Sequence, residues 1–313
     1  MPSIFTNWAV GDETMLGVET MDLEHSLASS DLFTDSALSR LIEQTAREDY
    51  HISTMDPASH DPKSRREGVI DGLSGPQVLE AIGQGNLWLN LRDPGKYQTE
   101  YKELLDAIYD ELEMRVPGLK TFKRQMTLLI SSPSVRVGYH CDVPGQTLWQ
   151  IRGRKRVWLY PNTDPYLPQP SLEKILLGEA HEVSLQYNPR FDDNAQVVDL
   201  EPGHMLTWPH NAPHRVENYD CLNISITTEH WTPELRNSYA VNYANGILRS
   251  RLGMNRLSQS TNGLSFYPKA VLAAAYKLGG IQKRMHHKFD IDFRVDPSAP
   301  GGFTDIASYE LSD

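Results

Sequence analysis

A chain of 313 residues, 39% hydrophobic and 23% charged, is long enough to bury a large core without staples, and Cys141 and Cys221 are too few to build a disulfide framework. The formal net charge of −11 argues against nucleic acid or an anionic membrane as the main partner, because both need a basic surface. No stretch approaches the roughly 20 apolar residues that span a bilayer, and the opening MPSIFTNWAVGDETM lacks the basic start and apolar core of a secretory signal, so a cytoplasmic protein is expected.

Residues 1–34 carry no clear periodicity and are expected to form an irregular arm. DSALSRLIEQTARE (35–48) places Leu38, Leu41 and Ile42 at helical spacing behind a polar cap, which predicts a helix. STMDPASHDPKSRREG (53–68) is polar, carries two prolines and predicts a loop. SGPQVLEAIGQG (74–85) predicts a short helix with Ser74 as its cap and Pro76 in the first turn. NLWLNLRDPG (86–95) alternates Leu87, Leu89 and Leu91 as a strand does, and KYQTEYKELLDAIYDELEMRVPG (96–118) lines Tyr97, Tyr101, Leu104, Ile108 and Leu112 along one helical face.

The texture then changes to short strands broken by Gly, Pro, Asn and Asp: MTLLIS, VRVGYH, TLWQI, KRVWLYP, HEVSLQY, QVVDL, HMLTW, HRVEN and CLNISITTEHW. Close spacing of this kind predicts an antiparallel sandwich or barrel, with a jelly roll the natural candidate. Beyond Thr232 the pattern is helical again, in ELRNSYAVNYANGILRSRLG and PKAVLAAAYKLGGIQKRM. The latter leads to a basic end at Lys283, Arg284, His286, His287 and Lys288, expected to be a solvated helix terminus. The expected organisation is a helical region with one strand over 1–124, a barrel over 125–232, and a helical region and tail over 233–313. The C-terminal helices pack on their own domain or pair with a second copy in a homodimer.

Within the barrel, VGYHCDVPGQ sets His140 and Asp142 on one side of an extended chain and Tyr139 and Cys141 on the other. Alone, one His-x-Asp is a weak signal. A metal needs a third ligand from a later strand, and EPGHMLTWPHNAPHRVENYD offers His204, His210 and His214. His204 follows a Pro-Gly turn and His210 sits in a loop, whereas His214 shares parity with the strand residue Val216, which favours His214 over His210. Two imidazoles and a carboxylate leave further positions open on an octahedral ion, an arrangement suited to non-haem Fe(II) and dioxygen; zinc is the main competitor. Along KRVWLYP, parity sends Lys155 inward with Val157 and Leu159, where a lysine needs an anion such as the far carboxylate of a dicarboxylic acid.

In order, His140-x-Asp142, WQIRGRKRVWLYP, LEPGHMLTWPHNAPHRVEN and ISITTEHW resemble the JmjC-type, cupin-like oxygenases, the group that includes the asparaginyl hydroxylase of the hypoxia-inducible factor and its bacterial relatives. The resemblance runs from Gln125 to Trp231. It implies a mainly β fold, a double-stranded β-helix (a cupin-like jelly roll) flanked by N- and C-terminal helices. It also implies an Fe(II)- and 2-oxoglutarate-dependent dioxygenase that hydroxylates a protein side chain, a peptide or a small molecule and releases succinate. His140, Asp142 and His214 correspond to the iron ligands, His214 closing the Pro-Gly-x(5)-Pro-x(4)-His pattern, and Lys155 corresponds to the lysine that pairs with the far carboxylate of 2-oxoglutarate. The chain departs from the family at Val137, where a threonine is common, and at Glu229, where an asparagine is; Gln146 and Thr127 are the candidates to supply the missing co-substrate contacts. Two other readings stand beside this one: a metal-binding cupin with non-oxidative chemistry, against which Asp142 counts because such cupins often carry His-x-His, and a non-catalytic regulatory protein.

Overall fold

A computed structural model describes residues 3–55, 64–280 and 290–310. In chain order the elements are β1 (Met21–Glu24), α1 (Asp35–Gln44), β2 (Tyr50–Thr54), β3 (Arg66–Val69), α2 (Gly75–Gln84), β4 (Trp88–Arg92) and α3 (Thr99–Arg115). Then follow β5 (Phe122–Ser131), β6 (Arg136–His140), β7 (Gly145–Arg152), β8 (Lys155–Leu159), α4 (Gln169–Leu176), β9 (Gln196–Leu200), β10 (His204–Thr207), β11 (His214–Asn218) and β12 (Asn223–Trp231). The chain continues through α5 (Pro233–Leu252), α6 (Phe266–Leu278), β13 (Asp290–Val295) and β14 (Phe303–Glu310). The strands form a ten-stranded sheet ordered β1-β10-β7-β12-β5-β4-β2-β3-β13-β14 and a four-stranded sheet ordered β6-β11-β8-β9. This is the mainly β, cupin-like jelly roll expected from the sequence, with helices outside it.

The inner faces are built by alternation. On β4, Leu89 and Leu91 are buried between half-exposed neighbours, and on β8, Lys155, Val157 and Leu159 point in while Arg156 and Trp158 point out. Trp149 of β7 is fully buried, and its indole N–H donates to Thr147 and Thr228 hydroxyls at 2.8 and 3.2 Å, so the large ring enters the core with its one polar atom satisfied. α3 buries Tyr101, Leu105, Ile108, Tyr109 and Leu112; Tyr101, Ile108 and Leu112 are as the periodicity predicts, whereas Leu104 is half-buried and Tyr97 precedes the helix. In α2, Ser74 and Gln77 form the reciprocal capping box with Pro76 in the first turn.

Four expectations are corrected. The N-terminal arm is not irregular surface: β1 pairs with β10, and Phe5 packs 5.4 Å from the Trp149 ring. The signal was an alternation of Met21 and Leu23 only four residues long. The loop expected over 53–68 contains the end of β2 and all but the last residue of β3; residues 56–63 lie outside the described part. β3 escaped notice because its buried residues are a charge, Glu67, and a glycine, Gly68. Glu67, 2% exposed, accepts from Arg65 at 3.2 Å and Ser53 at 3.0 Å, and meets His51 at 2.9 Å.

HEVSLQY is not a strand. His181 accepts from the Val183 amide and the Ser184 hydroxyl accepts from the His181 amide, each at 3.3 Å, which closes a 3-10 turn over Glu182–Ser184. Finally, the C-terminal region is not helical throughout, because β13 pairs in parallel with β3 and in antiparallel with β14, extending the larger sheet. The basic end at Lys283–Lys288 lies outside the described residues.

The β3–β13 junction is tight. A Cβ on Gly68 would lie 2.1 Å from the ring of Phe293, itself fully buried. Gly68→Ala should therefore lower stability by about 1–3 kcal/mol, read as a fall in the denaturant midpoint at constant slope. An unchanged midpoint would show that the ring has room to move.

Candidate metal centre

The first and third triad residues meet across a strand pair. β6 and β11 are antiparallel with His140 opposite His214, but Val137 is opposite Val216, so β6 carries one residue more than β11 over this span. That β-bulge turns both Val137 and His140 toward the cavity, which simple alternation forbids for residues three apart. The imidazole centroids are 4.1 Å apart. Asp142 brings one carboxylate oxygen 3.4 Å from His214 Nε2 and the other 4.0 Å from His140 Nε2. One ligand atom from each of the three residues falls within 4.8 Å of the others.

The tautomers follow from the partners on the far side of each ring. His140 Nδ1 lies 2.8 Å from the Gly138 carbonyl and His214 Nδ1 lies 3.2 Å from the Ala212 carbonyl. A carbonyl only accepts, so each Nδ1 carries the proton and each Nε2 presents a lone pair inward. Burial holds His214 well below the usual histidine range, with the His140 charge adding to the effect, and burial raises Asp142 against the opposing pull of His140. A neutral imidazole is the form that binds a metal, and a buried carboxylate without a cation is costly. The donor set and its burial thus fit a divalent ion. Trp208 closes one side, its ring 4.6 Å from His214.

These residues line a cavity of about 260 Å³ between the two sheets, smaller than the roughly 300–1,000 Å³ of drug-sized sites. Lys155 stands in it, 4% exposed, its ammonium donating to Ser225 Oγ at 2.8 Å. Among the described residues it has no carboxylate partner, and burial lowers its pKa to about 7. Thr127 lies in the wall on β5. Gln146, also in the wall, turns its amide to Asp142; with the amide assigned so that nitrogen rather than oxygen faces the carboxylate, the orientation that satisfies both groups, Nε2 lies 3.2 Å from each carboxylate oxygen.

The two rejected histidines have other duties. His210 Nε2 meets the Val143 carbonyl at 2.8 Å, and His204 Nδ1 meets Asp22 at 2.8 Å. The sequence reading overlooked Asn90, Arg92, Trp208 and Asn218 as cavity residues. Asn218 was readable from its parity with His214 and Val216; Asn90 and Arg92 come from a strand outside the motif-bearing segment and had no local signal. Asn90 Oδ1 is buried and has no hydrogen-bond partner. Glu229, opposite Gln146 across the β12–β7 pair, is pushed up to about 7 by burial and by the Asp142 charge, while Arg92 pulls it down.

A double-stranded β-helix with an inward His-x-Asp…His set is the arrangement of a cupin-like barrel. Residues 80–234 match the family model of the cupin-like domain. Among solved structures, that of Escherichia coli ycfD superposes with a TM-score of 0.51 at 17% identity, covering 91% of this chain and 71% of that one. The E. coli ribosomal oxygenase YcfD in complex with cobalt and 2-oxoglutarate gives 0.50 at 17% identity, covering 91% and 70%. At this identity the likeness is one of fold. No curated protein matches the sequence.

Proposed function

We propose that this chain is an Fe(II)- and 2-oxoglutarate-dependent oxygenase that hydroxylates a protein side chain or a small molecule. The observation that carries the reading is the presence, in one buried cavity, of two imidazole Nε2 atoms, one carboxylate and a lysine that has no counter-charge among the described residues. His140, Asp142 and His214 would hold the iron, and Lys155 would hold the far carboxylate of 2-oxoglutarate, with Thr127 as a further contact. Iron bound there supplies the redox chemistry that couples decarboxylation of 2-oxoglutarate to oxidation of a substrate C–H bond by dioxygen. The chain's own part is placement: the Nδ1–carbonyl contacts fix both imidazoles, the Lys155 ammonium orients the dicarboxylate, and Trp208 with the aliphatic wall residues keeps water out.

A protein substrate is the choice supported by the ribosomal oxygenase among the structural neighbours, and the charge of −11 disfavours nucleic acid or a membrane surface as partner. Among the described residues no helix is long and apolar enough to cross a membrane, in keeping with the cytoplasmic location we propose. The C-terminal helices are our candidate homodimer contact, since α6 leaves Tyr267, Val271 and Leu278 exposed.

Anaerobic addition of Fe(II) and 2-oxoglutarate should produce a weak visible charge-transfer band, and admitting oxygen should release succinate. A band without succinate would turn the reading to a regulatory protein, and no band to a different cupin chemistry. The lysine adds a pH dependence. Its pKa in the free protein is about 7, and only the ammonium form attracts a carboxylate, so binding at higher pH requires proton uptake. Affinity for 2-oxoglutarate should fall by up to about tenfold per pH unit above pH 7. Calorimetric titration from pH 6 to 9 in the presence of Co(II) checks this, and a flat profile would contradict it.

A further inference from the structure

Asp142 lies past the last residue of β6, where the ladder that sets His140 opposite His214 has ended. Strand pairing therefore does not locate the one carboxylate of the triad. Side chains from two neighbouring segments do. Asn211 Nδ2 donates to the Asp142 carbonyl at 2.5 Å, and His210 Nε2 donates to the next carbonyl, Val143, at 2.8 Å. From β7, Gln146 Nε2 donates to both carboxylate oxygens at 3.2 Å.

Each tie has a local cause. Asn211 stands between Pro209 and Pro213 with φ +60°, a left-handed conformation that asparagine adopts more readily than most residues and that aims its amide back at the 142–143 segment. The Ala212 amide closes the same loop onto the Pro209 carbonyl at 2.9 Å. Gln146 enters β7 one residue after Gly145, where a Cβ would lie 2.8 Å from the His230 ring, so the strand starts hard against β12 and its second side chain faces the cavity. An amide N–H pair shared between two carboxylate oxygens leaves a lone pair on each for a metal.

We propose that Gln146 and Asn211 are positioning residues for the metal centre, holding the Asp142 carboxylate and its backbone carbonyl so that the carboxylate faces the two Nε2 atoms. This rests on the metal-binding reading given above. It gives Gln146 a task distinct from the co-substrate contact that the family resemblance suggests. It also explains why the segment PHNAPH carries an asparagine and a second histidine ahead of His214: both tie the Asp142 loop in place.

The test is Co(II) binding to the full chain by calorimetry and by visible absorption, for wild type, Gln146→Ala and Asn211→Gly. Glycine adopts φ +60° without strain, so Asn211→Gly removes the amide and spares the backbone. Each variant should weaken Co(II) binding by about 10-fold or more and shift the ligand-field spectrum, while the metal-free protein melts as wild type does. Unchanged affinity and spectrum in both variants, with wild type binding Co(II), would overturn the assignment alone. So would losses of affinity matched by equal losses of stability in the metal-free state. Failure of wild type to bind Co(II) would instead sink the metal reading on which the assignment stands.

Discussion

We expect the replacement of Asp142 by alanine to cripple metal loading: the dissociation constant for Co(II) or Fe(II) should rise by at least about 100-fold, beyond the 10- to 100-fold typical of supporting groups. Asp142 supplies the only negative charge in the triad, and its loss leaves the two imidazoles without an anionic ligand beside them. The same change does not destabilise the empty protein. Burial raises the Asp142 pKa in the folded state, so ionisation favours unfolding, and stability is lost as pH rises through the unfolded carboxylate's range. Alanine removes that penalty, and the metal-free variant should melt at or above the wild-type temperature at neutral pH. Anaerobic calorimetry with scanning calorimetry on the same samples decides the matter. A variant that binds Co(II) within threefold of wild type would remove Asp142 from the ligand set.

Lys155→Met separates co-substrate binding from metal binding. Truncating one member of a buried charge pair costs about 2–5 kcal/mol or more, so 2-oxoglutarate affinity should fall by at least about 30-fold while Co(II) affinity stays close to wild type. The empty variant should gain stability, because methionine fills similar space without a desolvated charge. Among the described residues the Lys155 ammonium hydrogen-bonds to Ser225 Oγ, a neutral hydroxyl that partners an ammonium weakly. Stability that falls together with an unchanged affinity for 2-oxoglutarate would mean that the lysine serves the fold and not the ligand.

Much of this architecture was legible because barrel strands are half-buried and alternate. β8 is the clearest example: its parity alone sends Lys155 inward and Arg156 outward, and the structure has them so. β11 is another, with His214, Val216 and Asn218 on the cavity side. Where alternation fails, the reading failed with it. β3 hides a charge in its interior, satisfied by partners that no local pattern reveals, and HEVSLQY has the apolar spacing of a strand but side chains that close a turn. β13 and β14 were missed because β13 is held by β3, more than 200 residues earlier by the Arg294–Val69 register, and β14 in turn pairs with β13. The bulge in β6 was invisible for a related reason: two strands must be aligned before an extra residue in one of them exists. The ties of Asn211 and His210 likewise join side chains to a loop more than 60 residues earlier, whereas Gln146, only four residues from Asp142, reaches it because the chain turns between β6 and β7.

The larger sheet is closed from both directions, by β1 on β10 at one edge and by β13 on β3 toward the other. During synthesis the segment that carries Gly68 leaves the ribosome long before Phe293 exists to cover it. Until then the growing chain presents β3 as a bare edge, open to pairing with another nascent chain. The charges on that strand, Arg66 outward and Glu67 within its ring of partners, make such a mispairing costly, so the same residues that hid β3 from hydrophobic patterning guard it while it waits.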